Sequence, residues 1–488
     1  MRPAPPEQGD PLATGPGTTG EPVARVSGLV HPRDRLRRVL SLWDASMLVV
    51  ASVIGAGIFL TPGRVAALLP DARWLLLAWA VGALLSLAGA LANAELGAMF
   101  PRAGGDYVYL REGLHPAAGF LTGWLSFFAI YAGTIAALAV VLGESLSKAC
   151  GWGDAGVLPS SAGVVLLFSA LNARSVRWGV RLNNLTSLAK LLALAAFAVL
   201  GPLLGDGSFA PWLADAASGG SGALGLGAVA LDAVASEEGS LGLRFGQALS
   251  PILFSYLGWN ASVYVASEIR DPGRNLPRSL FLGLGLCALL YLIVNGVYLY
   301  ALPPAELIAA NDAGEAAARA LFGPIGGRLV AGFVLLSVAG SLNAMVLVGP
   351  RIVYAMALDG LFPGRAGRVH ATRHTPAGAV WVQALTAIGL IAFLESFPRA
   401  LDFTVFAIVL ASAADILALF ALRLRRPELE RPYRAWGYPF VPAVYLIVQL
   451  VIAAAIFVGS PREAATAIGV LAVGLLIYLG FARGPVRE

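Results

Sequence analysis

Three stretches of this sequence place residues that could hold a polar ligand inside apolar surroundings. The first is Val53-Ile54-Gly55-Ala56-Gly57-Ile58-Phe59, where two glycines interrupt an apolar run. Glycine adopts the backbone angles that end a helix. A helix broken there exposes N–H groups at the start of its next segment, and that positive dipole end suits a carboxylate. Gly-x-Gly also lets two helices approach closely, so packing is the competing reading. The second stretch is Ile252-Leu253-Phe254-Ser255-Tyr256-Leu257-Gly258-Trp259-Asn260. Gly258, Trp259 and Asn260 interrupt it near the middle, and Asn needs a partner inside an apolar helix. A helix ending near Phe254–Tyr256 leaves carbonyls free, and their negative dipole end suits an ammonium. The third is Lys190, an isolated cation between Leu188 and Leu191. A centre for a carboxylate beside a centre for an ammonium describes the two ends of an α-amino acid.

The elements that must position these residues are membrane helices. Hydrophobic residues make up 58% of the 488 and charged residues 13%. Soluble domains carry about 25% charge, so a water-soluble fold is excluded, as is disorder away from the ends. A spanning helix needs about 20 apolar residues. Apolar runs lie at 43–69, 74–99, 117–147, 157–173, 182–204, 246–269, 279–302, 325–356, 376–396, 400–422, 440–459 and 464–482. They predict an all-α polytopic membrane protein with about twelve transmembrane helices. Residues 1–40 are rich in Pro, Gly and Arg and read as a disordered cytoplasmic tail; residues 41–424 form a ten-helix core, and 425–488 add two further helices and a tail. The segment 206–245 is a Gly/Ser/Ala/Asp-rich link, and 303–324 contains a short helical pattern at Ala305–Leu321. No cleavable signal peptide is expected, because the first apolar run is too long.

The basic residues predict the orientation. With both termini inside, 25 Lys and Arg fall on the inner side and 8 on the outer, leaving Lys190 within a span. That is a strong positive-inside bias. The net charge of +5 is therefore loop charge, with no nucleic-acid footprint. Lys-poor, Ala- and Arg-rich usage points to a GC-rich bacterial genome, so the plasma membrane is expected. The runs at 43–69 and 246–269 are five spans apart and cross in opposite directions. Glycine-interrupted helices in corresponding positions of two halves are the sequence pointer to a transporter site. A five-plus-five inverted repeat with discontinuous helices 1 and 6 follows. The outer half of helix 1 then begins near Gly57, and the first half of helix 6 ends near Phe254–Tyr256.

The sequence resembles the amino acid–polyamine–organocation superfamily, and within it the L-type amino acid transporter branch. The resemblance rests on Val53–Phe59, on Ala94–Leu110 with its Pro101-Arg102-Ala103-Gly104-Gly105-Asp106-Tyr107 core, and on Gly258-Trp259-Asn260. Pro272–Pro277, Leu342–Met345, Ala355–Pro363, Arg431–Arg434 and Gly437-Tyr438-Pro439 continue it in order over about 41–460. It implies secondary transport of α-amino acids by alternating access, with no cofactor. It places the carboxylate on Gly55, Ala56 and Gly57, and the amino group on carbonyls of Ile54, Phe254 and Ser255. It aligns Asn260 with the family's helix 6 Asn. Leu257 stands where relatives often have a small residue, which implies a tighter pocket for small or medium neutral amino acids. It also aligns Lys190 with the sodium position of sodium-coupled relatives, where its ammonium would bind carbonyls of helices 1 and 8. Lys190 is thus expected as a structural or coupling cation, in a sodium-independent exchanger or proton symporter. The competing reading has Lys190 snorkelling to the interface.

Other residues complete the expectations. Tyr131, Tyr256, Trp259 and Asn343 are pocket or gate candidates, with ordinary packing preferred for Tyr131. Glu95 and Asp106 are expected to pair with nearby Arg residues, Glu268 with Arg270, and Asp359 with Arg351. Glu144 reads as solvated, and Asp415 has no assigned role. His31, His115, His370 and His374 lie in loops or the tail and suggest no metal site. Cys150 reads as a free thiol, and no obligatory protein partner is indicated. Rival functions are a cationic amino acid or polyamine carrier and a membrane enzyme. For the enzyme, Gly104-Gly105-Asp106 superficially matches an intramembrane aspartyl protease motif, but no second Asp is expected to face it. No Walker A or His-Glu-x-x-His motif occurs.

Overall fold

The computed structural model describes residues 36, 38–174, 176–212, 241–368, 375–394 and 396–482. Most of the expected tail at 1–40, most of the link at 206–245, and His31, His370 and His374 lie outside the described residues. The spans are named here α1 to α12. They are α1a Leu42–Val53 with α1b Gly57–Leu60, α2 Ala72–Met99, α3 Pro116–Cys150, α4 Val157–Arg174, α5 Val176–Leu204, and α6a Leu241–Ser255 with α6b Ala261–Tyr264. There follow α7 Pro272–Ala301, α8 Ala313–Val348, α9 Ala377–Leu394, α10 Phe397–Arg425, α11 Phe440–Gly459 and α12 Pro461–Ala482. Regular structure among the described residues is helical, apart from one parallel bridge between Leu40 and Ile269.

Local chemistry sets the helix ends. Ser41 caps α1a in a reciprocal box with Asp44, satisfying N–H groups the helix cannot. Asp71 accepts from Arg73 N at 2.8 Å to start α2, and Asp312 accepts from Glu315 N at 2.8 Å to start α8. Asp312 divides the helical pattern expected at Ala305–Leu321: Pro304–Ala309 is a separate helix, and α8 begins after it. Gly323, at φ +73°, kinks α8 near where the span was expected to begin.

Among the described residues, eleven helices are long and apolar enough to cross a membrane. The expected twelfth, at 246–269, is cut into α6a and α6b by a turn over Tyr256–Asn260, so neither piece is long enough alone. Helix 1 is cut over Ile54–Ala56, and a second short helix, Pro62–Leu68, continues α1b. The two breaks touch. Gly258 sits at φ +92°, and a Cβ there would lie 2.6 Å from that of Ser52 on α1a. A Cβ on Gly57 would lie 2.4 Å from Ser255 Cα. The glycines therefore serve both readings offered by the sequence, helix breaking and close approach.

Candidate functional site

The break in helix 1 leaves backbone N–H groups without helical partners, whereas at the break in helix 6 the Phe254 carbonyl accepts from Leu257 N at 3.0 Å. Thr61 N and Leu60 N bond back to Gly57 and Ala56, but Gly55, Ala56, Gly57 and Ile58 make no backbone N–H bond. Four donors thus gather at the start of α1b, where partial positive charge is expected. Opposite them α6a ends at Phe254 and Ser255. Tyr291 Oη donates to Val53 O at 2.8 Å and lies 3.2 Å from Ser255 O, so one α7 hydroxyl joins the carbonyl ends of both broken helices. Thr61 Oγ1 donates to Gly57 O at 2.8 Å and lies 2.9 Å from Ser255 Oγ.

Lys190 is fully buried. Its Nζ donates to Ala51 O at 3.0 Å, to Ile54 O at 2.5 Å and to Ser341 Oγ at 2.7 Å. The ammonium thus holds the carbonyl end of α1a, as a metal cation would. From α8 the partner is a hydroxyl rather than the expected carbonyl. Ser341 Oγ also reaches Ala51 O at 2.7 Å and Ile54 O at 2.9 Å, and Ser337 Oγ reaches Ile54 O at 3.2 Å. Ile54 O is therefore crowded with donors from this chain.

The remaining candidates divide. Leu257, Trp259 and Asn260 line a cavity between α6, α2, α10 and α11, together with Ser412 and Gln449. Tyr256 points away from it, into a ring cluster with Trp79 at 6.1 Å and Tyr291 at 5.1 Å. Tyr131 packs edge-on against Tyr264 at 5.1 Å. Asn343 accepts from Asn172 Nδ2 at 2.9 Å and donates to Gly179 O at 3.3 Å, so it ties α8 to α4 and α5. Sequence spacing placed Asn343 on the correct helix but could not tell its face.

The end of the bundle that carries the start of α1 and the end of α12, the terminal face, is laced by ion pairs. Glu95, fully buried, accepts from Arg423 at 2.5 Å and from Ala435 N at 2.6 Å, with Arg431 at 3.4 Å. Glu268 pairs with Arg351 at 3.0 Å, not with Arg270, and Asp359 pairs with Arg111, not with Arg351. Neighbours in sequence point different ways from short loops, whereas these partners converge from separate helices. Asp106 has no Arg partner among the described residues. It accepts from Tyr264 Oη at 2.5 Å and sits beside Asp415, whose helix packs against the loop helix Asp106–Gly113. A second Asp does therefore face Asp106, contrary to expectation, because the fold returns α10 beside the loop helix Asp106–Gly113. The pair is only 2% exposed, which denies it the water and substrate groove that proteolysis requires.

The opposite face opens into a cavity of about 770 Å³. Its walls include Arg64, Glu144 and Lys148, and its floor reaches Thr61, one turn from Gly57. Glu144 is exposed there. Sequence reasoning missed Tyr291, Ser341 and Thr61 because a lone hydroxyl on an apolar helix carries no spacing signal.

The sequence profile of the family described as amino acid permease matches residues 40–481. The serine/threonine exchanger SteT of Bacillus subtilis (strain 168) is 32% identical over 465 residues, spanning 94% of this chain and 98% of that protein. The large neutral amino acids transporter small subunit 2 of Oryctolagus cuniculus is 28% identical, over 84% of this chain and 74% of its own length. The Asc-type amino acid transporter 1 of Mus musculus is 27% identical, over 91% and 81%. With broken helices 1 and 6 set within a multi-pass helical bundle, and a profile match from the first span to the last, this chain belongs to the amino acid permease family.

Proposed function

We propose that the protein is a sodium-independent exchanger of neutral L-α-amino acids in the plasma membrane, with the terminal face cytoplasmic. The observation that carries this reading is the pairing of four unbonded N–H groups on Gly55–Ile58 with the carbonyl end of α6a at Phe254 and Ser255. The first centre takes the carboxylate and the second takes the ammonium. Donors from Lys190, Ser337 and Ser341 crowd the Ile54 carbonyl, so it holds Lys190 in preference to substrate. Neutral substrates are favoured because, among the described residues, no carboxylate side chain adjoins the two breaks to pair with a second cationic group. The similarity to a serine/threonine exchanger supports exchange and a small side chain. Lys190 supports sodium independence by standing where a cation would otherwise be needed. The terminal face is assigned to the cytoplasm by its basic loops. The open cavity on the other face then corresponds to an outward-facing vestibule.

Reconstituted vesicles test this. Labelled neutral amino acids should enter only vesicles preloaded with unlabelled ones, without sodium and regardless of an imposed proton gradient. Uptake into empty vesicles driven by a proton gradient would replace exchange with symport. Absence of uptake by folded protein in every condition would overturn the amino-acid reading.

A further inference from the structure

Asp106 and Asp415 form a buried acidic pair that the proposed substrate site does not use. Asp106 begins the loop helix between α2 and α3, and Asp415 lies on α10, ten residues before its end on the terminal face. Each is 2% exposed. One oxygen of each carboxyl is bonded: Asp106 Oδ2 by Tyr264 Oη at 2.5 Å, and Asp415 Oδ2 by Asn93 Nδ2 at 3.1 Å. The other oxygens, Asp106 Oδ1 and Asp415 Oδ1, are both buried and have no donor. Two adjacent carboxyls therefore each present one orphan acceptor.

Among the described residues the surroundings offer no cation. The ionisable groups facing the pair are Tyr264 from α6b, Tyr109 from the loop helix, Tyr131 from α3 and Tyr445 from α11. No Lys, Arg or His forms an ion pair with either Asp among the described residues. Burial pushes the Asp106 carboxyl above the usual carboxylate range. Two charges this close in a site that excludes water cannot both persist. A single proton placed between the orphan oxygens satisfies both and leaves one negative charge, held by the Tyr264 and Asn93 donors.

We propose that Asp106 and Asp415 bind one shared proton, and that this proton latches the cytoplasmic gate closed by joining the loop helix, α10 and, through Tyr264, the inner half of helix 6. Release converts the carboxylic acid–carboxylate pair to two carboxylates and delivers H⁺ to water on the terminal face. The repelling charges then drive the three elements apart. The proton binds and leaves from the same side, so the device makes exchange sensitive to cytoplasmic pH without making it symport. The gating role rests on the transporter reading above, whereas the proton site does not.

The test uses the purified full chain. Infrared difference spectra across a pH titration should show the C=O stretch of a protonated carboxyl that disappears as pH rises. Asp415→Asn and Asp106→Asn should each remove it, because the new amide supplies the bridging donor. Thermal stability gives a second readout. The folded state favours the proton-bound pair, so wild-type Tm should fall as pH rises through its titration, and Asp415→Asn should flatten that dependence. A band unchanged in both variants, or a Tm profile identical in wild type and variant, would overturn the proposal. Failure of amino-acid uptake would leave these spectra interpretable, and a missing shared proton would leave uptake unaffected, so the two readings fail separately.

Discussion

Gly57→Ala puts the proposed site to its most direct test. A Cβ at position 57 would lie 2.4 Å from Ser255 Cα, 2.5 Å from Ser255 Oγ and 2.7 Å from Ser255 Cβ. Carbon atoms settle at about 3.5–4.0 Å, so α1b and α6a must part by about 1 Å. Overpacking of this kind costs about 1–3 kcal/mol. The separation also stretches the Thr61–Ser255 contact from 2.9 Å and the Tyr291–Ser255 contact from 3.2 Å, beyond useful hydrogen bonding. Each such bond is worth about 0.5–1.5 kcal/mol. The total, about 2–6 kcal/mol, corresponds to a loss of about thirtyfold or more at tenfold per 1.36 kcal/mol. Equilibrium binding of a labelled amino acid to purified protein, beside its Tm, reads this out. Gly55→Ala is the milder comparison: its nearest neighbours are Ser341 Oγ at 3.1 Å and Ser341 Cβ at 3.4 Å, so the shift needed is only a few tenths of an ångström and the loss should be several-fold smaller. Ser255→Gly should not fully rescue Gly57→Ala, because the nearest atom is backbone. Binding and Tm within twofold and one degree or so of wild type would refute the reasoning about this contact.

Other perturbations separate the remaining roles. Lys190→Ala removes charged bonds to Ala51 O, Ile54 O and Ser341 Oγ, each worth about 1.5–3 kcal/mol. Turnover should fall at least tenfold in protein that still inserts, and an unchanged rate would reduce Lys190 to scaffold. Leu257→Gly opens the wall between helix 6 and the adjoining cavity, so larger neutral side chains should be accepted; an identical competition profile would remove Leu257 from specificity. Asn343→Ala loses the bonds to Asn172 and Gly179 and should lower stability by about 1–2 kcal/mol while leaving substrate preference intact. A changed preference would return Asn343 to the pocket.

Much of the architecture is legible in one dimension because the bilayer makes it so. A spanning helix must satisfy its backbone internally and show apolar residues along its whole length. That requirement writes each continuous span into the sequence as a run of apolar residues. A glycine interruption stands out against such a run, which is why Val53–Phe59 and Ile252–Asn260 announce their breaks. The observed breaks, Ile54–Ala56 and Tyr256–Asn260, fall within those stretches. Lys190 is legible for the same reason, as a lone charge in an apolar helix.

What the sequence could not decide is which side chains meet. Spacing along a helix gives a face but not the neighbour opposite it. Glu268 has Arg270 two residues away yet bonds Arg351, and Asp359 bonds Arg111 rather than Arg351. Asp106 and Asp415 are 309 positions apart by their numbers, and no pattern links them. The sequence by itself determined that this chain crosses the membrane repeatedly, interrupts spans 1 and 6 with glycine and sets one lysine in an apolar run, because each stands out against a uniform apolar background. Only the tertiary structure decided that Lys190 clasps α1a, that Tyr291 bridges both breaks and that Asp106 and Asp415 are buried side by side. Those contacts arise where helices distant in sequence pack side by side, and packing geometry leaves no local trace in the order of residues.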